Sequence, residues 1–219
     1  MGTVKVLNTT TRLPITTIGE RAGICWGANT ENEEKNYKRG WNCINSNHGR
    51  TLEFVNIEMV LDGYSARVIR EWYTHIGGAP TRLQASTRYI NYNDFKVIEP
   101  LTIRQNPYAK VIYKDCIQSI KEALCMLSKL EVPREDVANL LPLGMTTKIV
   151  DKRNLRNLVD MSHQRLCNRA YWEYRELFED ICEALKEYDR EWKEIIENLF
   201  KPKCAVLGKC PEEKGCGVR

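Results

Sequence analysis

Between residues 107 and 131 the apolar side chains Ala109, Ile112, Cys116, Ile120, Ala123 and Leu127 recur at intervals of three and four. That spacing lines them along one stripe of an α-helix. A helix of this length is about 37 Å long, and its apolar stripe has to be laid against something. A second beat occurs at residues 54–61, FVNIEMVL, where Val55, Ile57, Met59 and Leu61 alternate with polar partners. Period two marks a strand with one buried face. Long helices and alternating strands therefore coexist, but without the regular strand–helix alternation of a doubly wound sheet. The expected class is α+β, a single domain with a mixed or antiparallel sheet packed against long helices.

The remaining segments fit that frame. The short apolar run VKVL near the start is followed by a Thr-rich turn, and Tyr37, Trp41 and Ile44 suggest a surface helix over 31–47. His48-Gly49-Arg50 breaks it, and Asp62-Gly63 is expected to turn the chain after the strand. Ser65 can cap a helix over about 65–76 that buries Val68, Ile69, Trp72 and Tyr73. GGAPTRL (77–83) reads as a loop and STRYINY (86–92) as extended. After Pro133 comes a short turn, then loop and strand in LPLGMTTKIV, then helices over 152–168 and 170–199. Residues 1–200 are taken as the catalytic domain and 201–219 as an irregular, Cys-containing tail.

Charge and cysteine content narrow the function classes. The 33 basic and 29 acidic residues leave a net charge of +4. That mild excess suits a small anionic ligand rather than DNA or RNA. No stretch approaches the ~20 apolar residues of a membrane-spanning helix, and MGTVKVLNTTTRLP lacks the pattern of a secretory signal. Nine irregularly spaced cysteines are an odd number for a disulfide framework, so a reduced, cytoplasmic protein is expected. Cys116, Cys125 and Cys182 read as core residues. Cys204, Cys210 and Cys216 fit no common zinc signature, so no metal is assigned. None of the cysteines has a neighbouring His that would make it a nucleophile.

Arginine dominates the candidate chemistry. Arg70, Arg88, Arg156 and Arg165 all lie in semi-apolar segments. A guanidinium offers a planar fork to phosphate or to ring carbonyls. Ser86 and Arg88, two apart in an extended segment, would share a face and could cradle a phosphate. The plainer alternative is pairing with carboxylates such as Asp160 and Glu173. In Gly77-Gly78, backbone N–H groups could approach a ligand. His48 and His163 are possible acid/base groups.

Taken in order, Arg70-Glu71-Trp72-Tyr73-Thr74-His75, Ser86-Thr87-Arg88-Tyr89, Asn154-Leu155-Arg156, and Arg165 followed by Ala170-Tyr171-Trp172-Glu173-Tyr174-Arg175 resemble the flavin-dependent thymidylate synthases. His48-Gly49-Arg50-Thr51-Leu52-Glu53 is similar to the family's upstream H-x-S-x-x-E, and LLPLG at 140–144 to its LP segment. The resemblance spans about residues 20–185. It implies a homotetramer with shared active sites, FAD as cofactor, dUMP as substrate, and methylenetetrahydrofolate and NADPH as co-substrates. It also implies that no enzyme cysteine attacks the pyrimidine.

Carried over by position, the resemblance makes Arg165 the catalytic cation that activates the uracil ring. It assigns Glu71, Trp72, Tyr73, Thr74, Gln84, Ala85, Ser86, Thr87 and Arg88 to dUMP. It assigns Arg50, Thr51, Glu53, Thr74, His75, Ile76, Asn154, Arg156 and Asp160 to FAD. The chain departs from the family's R-H-R-x-x-S, which is here Thr74-His75-Ile76-Gly77-Gly78-Ala79, and Ala138 stands where many members have a phosphate-binding arginine. Arg50, Arg82 and Arg169 are candidate substitutes. Two alternatives stay open: a flavoenzyme acting on another pyrimidine nucleotide, and a non-catalytic nucleotide-binding protein on the same fold.

Overall fold

The computed structural model describes residues 2–217; Met1, Val218 and Arg219, the last two belonging to the expected tail, lie outside it. In chain order the elements are β1 (Thr3–Val6), α1 (Pro14–Cys25), α2 (Glu33–Asn45), β2 (Asn56–Ser65), α3 (Ala66–Trp72), β3 (Thr81–Gln84), α4 (Leu101–Arg104) and α5 (Pro107–Lys129). These are followed by α6 (Arg134–Val137), β4 (Thr146–Asn154), α7 (Leu155–Arg165), α8 (Trp172–Tyr188), α9 (Arg190–Leu199) and α10 (Lys203–Leu207). The four strands form one antiparallel sheet in the order β1-β2-β4-β3. The α+β expectation holds, with the sheet wholly antiparallel.

The alternation read from β2 is the spine of the core. Ile57, Met59 and Leu61 are fully buried, and in register they face Arg153, Asp151 and Ile149 of β4. Helices α1, α3, α7, α8 and α9 contribute Ile18, Trp72, Leu158, Phe178 and Trp192 to the same cluster. Asp62-Gly63 does not turn the chain. Gly63 sits at φ +82° in a bulge between Asp62 and Tyr64, and β2 continues to Ser65. The extra residue switches the inward parity, so Tyr64 follows Leu61 into the core.

Several boundaries also move. Ser65 caps α3 through the Val68 N–H at 3.2 Å as expected, but the helix stops at Trp72. STRYINY is not extended: residues 87–89 turn, and the Ser86 hydroxyl accepts the Arg88 N–H at 3.2 Å. The two residues therefore form a local turn and not one face of a strand. Residues 152–154 belong to β4, so α7 begins at Leu155 under an Asn154 cap. The helix expected over 170–199 is two, broken at Asp189, whose φ of −161° is extended and whose side chain caps α9. The tail carries the one-turn helix α10.

The long α5 begins where Asn106 Oδ1 accepts the N–H groups of Tyr108 and Ala109. Within this chain, though, Leu124 is its one buried residue. Cys116 and Cys125 are exposed, contrary to their expected core position, while Cys182 is buried. Ile112 is 65% exposed, Met126 64% and Leu130 73%. The apolar stripe is real: Ile120 and Leu127 pack with Leu124 against Phe95, Val137 and Met145, while the flank carrying Ile112, Met126 and Leu130 has no cover among the described residues.

Candidate active site

Three elements converge on the end of α7. The buried stripe of α7 runs through Leu158, Met161 and Ser162, and one turn on it reaches Arg165. The aliphatic stem of Arg165 thus follows the core edge while its head emerges. Arg165 Nη1 donates to Glu71 Oε2 of α3 at 3.3 Å, and Nε donates to His75 Nε2 at 3.1 Å. The guanidinium lies 4.4 Å from the centroid of the Tyr174 ring on α8. His75 meets the same ring edge-on, at 6.3 Å and 80°. The Arg165 side chain is 19% exposed. Its Nη2 has no hydrogen-bond partner among the described residues.

An arginine can only donate, so His75 Nε2 accepts and the imidazole is neutral with its proton on Nδ1. Burial, reinforced by the Arg165 and Arg153 charges, pushes His75 down from 6.5 to about 4. Above pH 6.5 neither folded nor unfolded chain holds that proton. As pH falls from 6.5 towards 4, the unfolded chain takes it up first and stability is lost. Partial exposure of the imidazole limits the loss to about 1–2 kcal/mol. Denaturant titrations across this window should show His75→Gln losing less stability than the unsubstituted protein; parallel decline of the two would refute the assignment.

Behind this face sits a dry polar layer. Arg153 and Asp151 are both fully buried, with Nε–Oδ2 at 2.6 Å and Nη2–Oδ1 at 2.7 Å. Asp151 Oδ1 also accepts the Trp72 indole N–H at 2.8 Å, and the Arg153 guanidinium stacks 4.1 Å from the Trp72 ring. Trp72 is therefore an anchor for α3 within the core, one residue from Glu71.

Two cavities flank Arg165 and Glu71. One, of about 770 Å³, is walled by Asp160, His163, Arg165 and Arg169, with Lys203 and Glu212 of the tail. The other, of about 600 Å³, is walled by Arg67, Arg70, Glu71, Thr74 and Tyr171. Both volumes are in the range of small-molecule sites. Thr74 turns its hydroxyl back to the Glu71 carbonyl at 2.7 Å.

The other expected nucleotide residues lie elsewhere. Gln84 Nε2 reaches Thr147 Oγ1 at 3.4 Å, and the Ala85 N–H donates to the Lys148 carbonyl at 2.8 Å. Arg88 pairs with Glu135 at 2.8 Å, and Thr87 lines a separate cavity with Arg134 and Ala138. Tyr73 stacks under Arg82, 4.4 Å from its ring centroid.

Among the expected flavin residues, Arg156 pairs with Glu53 at 2.6 Å. Thr51 donates to the His48 carbonyl at 2.7 Å beside an exposed Arg50. Asn154 Oδ1 caps α7, and its amide group fills the space above Gly78. A Cβ there would come within 2.2 Å of Nδ2, at φ +71°. Gly78 is thus needed to let the loop pass Asn154. Ile76 is exposed. Cys167, Cys204, Cys210 and Cys216 also border the larger cavity, but among the described residues no three His, Cys, Asp or Glu groups are placed to hold a metal.

Residues 6–189 match the family model described as thymidylate synthase complementing protein. The chain belongs to this family. The flavin-dependent thymidylate synthase of Thermococcus kodakarensis is 30% identical over 181 residues, covering 78% of this chain and 73% of its own. The enzyme of the same name from Nitratidesulfovibrio vulgaris is 27% identical over 180 residues, covering 77% and 70%. The crystal structure of the flavin-dependent thymidylate synthase ThyX from Helicobacter pylori, complexed with FAD and dUMP, superposes with a TM-score of 0.67 at 17% identity, covering 88% of this chain and 98% of that one. At that identity the likeness establishes the fold.

Sequence reasoning missed Asp151, Arg153 and Tyr174 as supports of the site. A signal existed for the first two. Thr147, Ile149, Asp151 and Arg153 continue one inward-facing alternation along β4, so a carboxylate and a guanidinium two apart were due to meet on the buried face.

Proposed function

We propose that this chain is a flavin-dependent thymidylate synthase that converts dUMP to dTMP. The observation that carries the reading is Arg165: a fixed guanidinium with Nη2 unpartnered, at the wall of a cavity. A pyrimidine ring that gains negative charge during carbon–carbon bond formation is stabilised by a preoriented cation that needs no reorganisation. Glu71 and His75 engage Nη1 and Nε, so the Nη2 N–H groups are left for a ring acceptor.

The donor set fits the cofactor named by the family relatives. Besides Arg165, the larger cavity carries Lys203 and Arg169, the latter paired with Glu212 at 2.7 Å, cations suited to the phosphates of FAD. These residues would hold the cofactor, with Asp160 and His163 at the same wall. When bound, the flavin supplies the hydride chemistry, with NADPH as reductant and methylenetetrahydrofolate as one-carbon donor. The neutral His75 accepts a hydrogen bond without adding a second positive charge beside Arg165. The exposed apolar flank of α5 supports the homotetramer, because a second copy would cover Ile112, Met126 and Leu130. No helix among the described residues is long and apolar enough to cross a membrane; the reading places the enzyme in the cytoplasm.

The test is a titration of the purified protein with FAD, followed by absorbance near 450 nm (about the flavin band), with and without dUMP, alongside dTMP formation and mass by light scattering. Flavin binding that tightens with dUMP, dTMP production and a four-chain mass are the expected results. Flavin binding indifferent to dUMP would move the reading to another pyrimidine nucleotide, consistent with Thr74 and Ile76 flanking His75. No flavin binding would overturn it.

A further inference from the structure

Tyr174 has no role in the reading so far, yet it is the floor of the site. It is fully buried, and what it presents to the site is its ring. Its face lies 4.4 Å under the Arg165 guanidinium, and the same ring takes the His75 imidazole edge-on and tilts against Trp72 at 6.0 Å. One aromatic plane thereby touches three residues of the site.

The Glu71 ion pair alone would not aim Arg165. At 3.3 Å with a partly exposed carboxylate, such a pair is weak and lets a long side chain swing. Nor would the His75 contact, a single hydrogen bond from a loop. A guanidinium over a ring face gains cation–π attraction over a planar area, and that attraction grows when the pair is desolvated. Supports from α3, the following loop and α8 together restrict Arg165 to one orientation.

We infer that Tyr174 is a positioning residue whose ring aims the Arg165 guanidinium into the cavity. The inference rests on Arg165 being the ring-activating cation, and it is specific to the ring and not to the hydroxyl. Tyr174→Phe should therefore keep kcat within about two-fold, since it keeps the ring face under the guanidinium. Tyr174→Leu should lower kcat by about 30-fold with KM for dUMP within about three-fold. In an Arg165→Met background the same Leu substitution should cost less than about three-fold, because the cation over the ring is already gone. Equal losses in both backgrounds would reduce Tyr174 to a packing residue and overturn the inference, as would a Phe variant as damaged as the Leu variant.

A second readout separates this from the functional reading. The Arg165 Nε–H donates to His75 Nε2 at 3.1 Å, so its exchange with solvent, followed by NMR, should quicken in Tyr174→Leu and stay unchanged in Tyr174→Phe. Unchanged exchange in the Leu variant overturns the positioning role whether or not the protein turns over dUMP. Quickened exchange in a protein that makes no dTMP leaves the positioning role standing and defeats the thymidylate synthase reading.

Discussion

Arg165→Lys should lower kcat for dTMP formation by about 10²–10³-fold, the usual effect of removing one preoriented charge donor from a developing anion. Lysine keeps the charge but has no planar fork, and it cannot contact Glu71 and His75 while presenting a free edge to the ring. The loss should fall on kcat more than on KM for dUMP, since the interaction strengthens as the ring takes on charge. Stability should barely change: the partly exposed Arg165–Glu71 pair is worth about 0–1 kcal/mol. Steady-state kinetics and a thermal melt on one preparation decide the matter. Activity within ten-fold of the unsubstituted enzyme would remove Arg165 from the chemistry. An equal fall in melting temperature would make it a structural residue.

The outcome also bears on how the site could be read from sequence. Strand β2 was legible because one face is buried and its period is two, and α7 and α8 because their apolar residues keep a helical spacing. What escaped was set by partners far away in the chain. Helix α1 gives no helical signal of its own, since Thr16, Thr17, Gly19 and Gly23 are poor helix formers. It forms because buried Glu191 of α9 accepts the N–H groups of Ile15 and Thr16 at 2.8 and 3.0 Å and the Thr16 hydroxyl at 2.6 Å. No local pattern encodes a cap supplied by a residue about 175 positions on.

The stripe on α5 failed in the other sense. Its period is correct, but periodicity reports that a face is apolar and not what covers it, so Cys116 and Cys125 were placed in a core this chain does not supply. At the proposed site, motif order singles out Glu71, His75 and Arg165. Their mutual contact was not, because it depends on where α3 ends and on the angle at which α7 leaves β4.

The first of these is held by Asp151 through the Trp72 indole, and Asp151→Ala should be strongly destabilising. The substitution leaves Arg153, itself 2% exposed, as an uncompensated buried charge and takes the acceptor from the Trp72 indole. Breaking a buried pair from one side usually costs about 3–5 kcal/mol, which for a chain of this size lowers the melting temperature by about 6–20 °C. Urea titration should show the midpoint falling with little change in slope. The double variant Asp151→Ala/Arg153→Leu should recover most of the loss, because the penalty lies in the stranded charge more than in the missing attraction. Activity should follow a different course. Trp72 anchors the end of α3, and Glu71 and His75 hang from that end, so the double variant should regain stability while dTMP formation stays depressed by about ten-fold or more. Full recovery of both would make the buried pair interchangeable with an apolar filling, and the aim of Arg165 would then depend on Tyr174 and α8 without help from α3.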